Sequence, residues 1–144
     1  MPLLLFFLAL LLTPVAPGFV VRPFDPPPQP WLAGHRGVDL AASAGAPVRV
    51  PRDGTVAFAR TVAGRGVVTV VHAGGLRTTY EPVTPSVIVG DELPTGSTLG
   101  VLDAGHPGCP VAACLHWGLR RGSDYLDPMI LLGRGRVRLL PSGG

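Results

Sequence analysis

The chain has 144 residues and 47% hydrophobic composition, enough for one domain with a real core. Its 20 Gly and 17 Pro exclude a helical bundle and point to short elements joined by many turns. The net charge of +3 comes from 12 basic residues, all of them Arg, and their scatter argues against a nucleic-acid footprint, which would be clustered. A basic surface of this kind suits an anionic polymer such as a cell wall.

In chain order, Met1 to Val15 is almost wholly apolar and is followed by Ala16-Pro17-Gly18. That length matches the hydrophobic region of a signal peptide and falls short of a membrane span. Residues 1–18 are therefore expected to be a signal peptide, with an uncleaved anchor as the alternative. In either case the domain is expected outside the cytoplasm, secreted or at the cell envelope, touching a membrane only through this segment. Residues 19–30, with Pro26-Pro27-Pro28 and Pro30, cannot form a helix or a central strand. They read as an arm leading into the domain and packed by Phe24 and Trp31. The domain itself is expected over 31–132, with a loose tail at 133–144 in which the run Arg134, Arg136 and Arg138 reads as a solvated edge.

Within the domain, Gly34-His35-Arg36-Gly37-Val38-Asp39 places an imidazole and a carboxylate in a Gly-flanked segment, and Leu40 to Gly45 reads as a loop of small residues. Strand patterns follow. Val48 and Val50 alternate with Arg49, and Val56 and Phe58 alternate after the Asp53-Gly54 turn. Val67 to Val71 is β-branched throughout, and Leu76 to Tyr80 returns after Ala73-Gly74-Gly75. A short strand is expected around Val87–Val89 and another over Thr98–Leu102. Leu115 to Arg120 should be a strand with His116 and Gly118 on one face and Leu115, Trp117 and Leu119 on the other. Asp127-Pro128 has the form of a helix N-cap and first position, predicting one helical turn to Leu132. The whole reads as mainly β and antiparallel, with long loops.

His35, Asp39 and His116 form a candidate zinc site, since two imidazoles and a carboxylate leave a fourth position open to water. In an exported protein the close pair Cys109 and Cys114 is expected to be a disulfide. His72, ending a Val-rich strand before a Gly turn, reads as a structural residue hydrogen-bonded to backbone.

With these residues in hand, the chain resembles the lysostaphin-type (β-lytic) zinc metallopeptidases, which cut peptidoglycan peptides. The resemblance is carried by Gly34 to Asp39, by Pro51-Arg52-Asp53-Gly54-Thr55-Val56, by Leu115-His116-Trp117 and by Tyr125 to Pro128, in that order. It covers residues 31–132. It implies an antiparallel β fold of the duplicated hybrid kind with the site in a groove on one sheet, one zinc per chain on His35, Asp39 and His116, and a zinc-bound water attacking a zinc-polarised amide. The partners it implies are peptide stems or cross-bridges of peptidoglycan, met by a monomer.

Two further family histidines are replaced, one by Cys114 and one by Pro82. Cys114 shares the face of His116 and, once disulfide-bonded, has no thiolate to act as a base. The candidate substitutes are Glu81, which in a regular strand is expected to face away from the site unless a bulge turns it, and His106, from the loop before the cysteines. Two functions are consistent with this set. One is an active zinc metalloendopeptidase. The other is a zinc-stabilised but catalytically degenerate wall-binding or regulatory module that activates a separate hydrolase.

Overall fold

The computed structural model describes residues 15–16, 18–106 and 108–133. The expectations for residues 1–14, residue 17 and 134–144, including the Arg134–Arg138 run, lie outside the described residues. Among the described residues eleven strands form in chain order: β1 Phe19–Arg22, β2 Gly37–Ala42, β3 Pro47–Arg49, β4 Gly54–Val62, β5 Arg65–Val71, β6 Leu76–Glu81, β7 Val83–Pro85, β8 Glu92–Leu93, β9 Thr98–Leu102, β10 Ala113–Arg121 and β11 Asp124–Leu126. Every pairing between them is antiparallel. The larger sheet runs β1-β2-β10-β6-β5-β4-β8, with β11 beside the end of β10, and a smaller sheet runs β3-β9-β7.

Strand β10 is central, paired with β2 on one side and β6 on the other, and it alternates from Leu115 onward. Ala113, Leu115, Trp117 and Leu119 are buried on one face, whereas His116, Gly118 and Arg120 on the other are only partly covered. Trp117 is fully buried in the cluster formed by Val38, Leu40, Val48, Val68, Tyr80, Leu99 and Leu102 between the two sheets. Removing that ring would cost about 3–5 kcal/mol. The opposite face of the large sheet is left for the site.

Several local expectations give way to tertiary pairing. The stretch from Leu40 is no loop at its start: β2 continues to Ala42, because Ala41 and Ala42 pair with Cys114 and Ala113 of β10 and Ala41 also pairs with Phe19 of β1. Residues Val87–Val89 form no strand. The strand here is β7, earlier in the chain, and Ile88 is instead drawn into a turn in which its N–H donates to Asp91 Oδ2 at 2.9 Å, leaving Ile88 and Val89 exposed. Phe24 is buried, but Trp31 is 78% exposed. Strand β5 buries only Val68 and Val70 completely. The turn after β11 is a 3-10 helix, Pro128–Leu132, whose N-cap Asp127 accepts from the Met129 N–H at 3.0 Å.

Two polar devices stiffen the sheet edges. Asp53 Oδ1 accepts from the Thr95 N–H and hydroxyl at 2.6 and 2.7 Å, tying the start of β4 to the turn after β8. Those two bonds hold the Asp53 carboxyl below its usual range. His72 lies 2.9 Å from the Asp53 carbonyl through Nδ1, which must therefore carry the proton. Its Nε2 then accepts from Thr78 Oγ1 at 2.6 Å, and Thr78 accepts in turn from Tyr80 at 2.7 Å. Burial holds His72 below its ordinary value against the opposing pull of the Asp53 carbonyl, and burial likewise pushes the Tyr80 phenol up. This buried relay is structural.

Candidate metal centre

His35, Asp39 and His116 come together from two neighbouring strands and the segment leading into one of them. Asp39 of β2 pairs directly with His116 of β10. His35 precedes β2 and is fixed by the proline-rich arm. Asp25 and His35 exchange backbone hydrogen bonds of 2.9 and 2.7 Å, and His35 Nδ1 donates to the Pro23 carbonyl at 2.8 Å. That bond leaves Nε2 as the free lone pair, directed at Asp39 Oδ1 at 3.2 Å. His116 approaches the same oxygen through Nδ1 at 2.8 Å. One donor atom from each of the three residues lies within 4.8 Å of the other two.

This donor set fits a borderline metal such as zinc: two neutral imidazole nitrogens and one carboxylate oxygen, with one imidazole already held in the ligating tautomer. The electrostatics agree. Burial alone would raise Asp39, but the His116 hydrogen bond and the neighbouring His35, His106 and His116 outweigh it, so the carboxyl is held below its ordinary value. It is ready as an anionic ligand at neutral pH.

Gly37 explains why the motif needs its second glycine. A Cβ there would stand 2.6 Å from the Trp117 carbonyl oxygen and 2.9 Å from both Cε1 and Nε2 of His116. The bare backbone is what lets the His116 ring lie across β2 toward Asp39. Only the motif's shape signalled this residue in the sequence, and neither the Pro23 carbonyl nor the space over Gly37 has a local signature.

The two candidate proton carriers both reach the site's face. Glu81 does not face away from the site: it pairs directly with His116 across β10 and β6 and therefore shares its face. Register with β10, not a bulge, sets its direction. Glu81 and His116 line a groove of about 480 Å³ together with Arg36, Thr79, Gly118 and Tyr125. Arg77 and Arg120 also face this groove, and the Arg36 guanidinium lies 5.9 Å from the centre of the Tyr125 ring. From the other side, His106 brings Nε2 to 3.1 Å from Asp39 Oδ1, with its side chain only 12% exposed and its ring centre 5.7 Å from that of His116. Cys109 and Cys114 are joined as a disulfide. Pro82, by contrast, is buried at the end of β6 and offers no proton.

The family model of peptidase family M23 matches residues 33–128, the span that holds all three candidate ligands and both carriers. The chain belongs to peptidase family M23. A Mycobacterium tuberculosis protein of uncharacterised function is 50% identical over 129 residues, covering 87% of this chain and 52% of the relative. The M23 chain thus spans about half the length of the curated relatives it matches. Among solved structures, an M23 peptidase of Pseudomonas aeruginosa superposes with a TM-score of 0.63 at 25% identity, over 85% of this chain and 52% of that one. The catalytic domain of the antimicrobial peptidase lysostaphin from Staphylococcus simulans gives 0.67 at 23% identity, over 80% and 92%. The fold is that of the M23 peptidases.

Proposed function

We propose that this M23 domain is an exported zinc endopeptidase that hydrolyses peptide bonds in peptidoglycan. The observation that carries the reading is the convergence of His35, Asp39 and His116 beside a groove that is open along the sheet. These three residues would hold the metal, and zinc when bound would make a water nucleophilic near neutral pH and polarise the amide carbonyl.

The remaining work falls to the protein's own groups. Hydrolysis adds the water oxygen to the carbonyl carbon, breaks the C–N bond and moves one proton from water to the departing amine. Glu81, a carboxylate in register with His116, would accept the water proton. His106, whose Nε2 lies 3.1 Å from Asp39 Oδ1, would give a proton to the amine nitrogen. Arg77 and Arg120 make the groove cationic, which suits peptides bearing free carboxylates. The apolar segment at residues 1–15 supports export to where the wall is.

The test is incubation of the protein with purified peptidoglycan, with and without a chelator. New amine termini should appear, vanish with chelator and return with added zinc. No new termini at any pH would end the hydrolytic reading in favour of a zinc-stabilised wall-binding module.

A further inference from the structure

From the segment joining β9 to β10, His106 reaches the candidate metal centre. Ala104, Gly105, Gly108, Pro110, Val111 and Ala112 are exposed, whereas His106 and Cys109 turn inward. Gly105 and Gly108 have φ of 97° and 79°, and they bracket a turn in which the Cys109 N–H donates to the His106 carbonyl at 3.2 Å. That turn fixes His106 relative to Cys109. Cys109 is bonded to Cys114 with a Cα–Cα distance of 5.8 Å. Cys114 is fully buried in β10, two residues before His116 and therefore on its face.

The disulfide is thus a short rod from the floor of the site to the loop above it. Cross-links stabilise a fold more as the closed loop lengthens, so a bond between residues five apart contributes least in that way. Its larger consequence is where His106 sits. His106 Nδ1 is buried with no hydrogen-bond partner among the described residues, so once the rod is cut the ring keeps its Nε2 contact with Asp39 and its tilted contact with the His116 ring but no second hydrogen bond.

We propose that the Cys109–Cys114 disulfide is a positioning element that holds His106 at the metal centre, where His106 hands a proton to the departing amine. The second half rests on the hydrolytic reading above, and the first does not. Strands β2 and β10 and the approach to β2 would supply the ligands, and an oxidised loop supplies the imidazole that works beside them. The site is complete only in the disulfide form, so the enzyme is matched to an oxidising compartment.

The test compares the full-length wild type, the paired variant Cys109→Ser with Cys114→Ser, His106→Gln, and all three substitutions together. Without added metal, carbethoxylation of His106 by diethylpyrocarbonate should be slow in the wild type and several-fold faster in the serine pair, with His72 unchanged. With zinc bound, the serine pair and His106→Gln should each lose about 10²-fold or more in kcat with little change in KM. The triple variant should be no worse than His106→Gln alone, because the disulfide acts through that ring. Equal labelling of His106 in wild type and serine pair, or multiplicative losses in the triple variant, would overturn the proposal. Should the serine pair unfold, labelling the folded wild type after reduction by a dithiol, which passes two electrons and two protons to the sulfurs, decides the same point. A wild type that cleaves no wall peptide sinks the hydrolytic reading, and the labelling still judges the positioning.

Discussion

Replacing Gly37 by alanine tests the geometry of the centre with one methyl group. Gly37 sits on β2 between the two ligands that β2 and its approach supply, and the added Cβ would meet the Trp117 carbonyl at 2.6 Å and the His116 ring at 2.9 Å. Ordinary contact begins near 3.4 Å, so the shortfall is several tenths of an ångström on both fronts. The Trp117 carbonyl belongs to the backbone of the central strand, and its side chain is wholly buried, so it yields little. The His116 ring is the softer partner, and moving it draws Nδ1 off its 2.8 Å contact with Asp39. Overpacking of this size costs about 1–3 kcal/mol of stability. Displacing a ligand through its supporting shell typically weakens metal binding by about 10–100-fold. Competition with a chromophoric chelator gives the zinc affinity, and denaturant melts of the metal-free protein give the stability. An alanine variant that keeps wild-type zinc affinity would refute the account of why the motif carries glycine.

Three further outcomes are expected. Glu81→Gln should lower kcat by about 10²–10⁴-fold while zinc content stays unchanged; unaltered turnover removes Glu81 from the mechanism. His72 is held below its usual value of 6.5 by burial, so the unfolded chain takes up a proton first as pH falls. Its share of stability is therefore full above pH 6.5 and is lost as pH falls through the folded value. The midpoint of urea unfolding should decline less steeply below pH 6.5 in His72→Gln than in wild type, and parallel declines would contradict the buried relay. Neutralising the groove through Arg77→Gln and Arg120→Gln should raise KM for carboxylate-bearing wall peptides and reduce its salt dependence, leaving kcat near wild type. A KM that does not move would show that these arginines face no substrate.

That His35, Asp39 and His116 converge was legible because their spacing and residue types have the form of a coordination set, and the fold brings their donor atoms together. Strand β10 was legible for a similar reason: alternation of Leu115, Trp117 and Leu119 with His116 and Gly118 is a local signal of a half-buried sheet. What could not be read was register. Glu81 looked misdirected when judged along its own strand, and only its pairing with His116 turns it toward the site. The same non-local pairing makes β2 of small residues that read as loop, recruits β1 from beside the prolines, and adds the short strands β8 and β11. Val87–Val89 failed in the opposite direction, since β-branched residues satisfied the local pattern while Asp91 captured the backbone into a turn. The link from the arm to His35 runs through the Pro23 carbonyl, and a backbone atom leaves no mark in a sequence.

The central claim is that His35, Asp39 and His116 hold one zinc ion. Elemental analysis of the purified protein tests it most directly, with Asp39→Ala measured alongside. About one zinc per wild-type chain and none in the folded variant is the expected result. A folded wild type that binds no zinc, or an Asp39→Ala variant that retains it, would contradict the account.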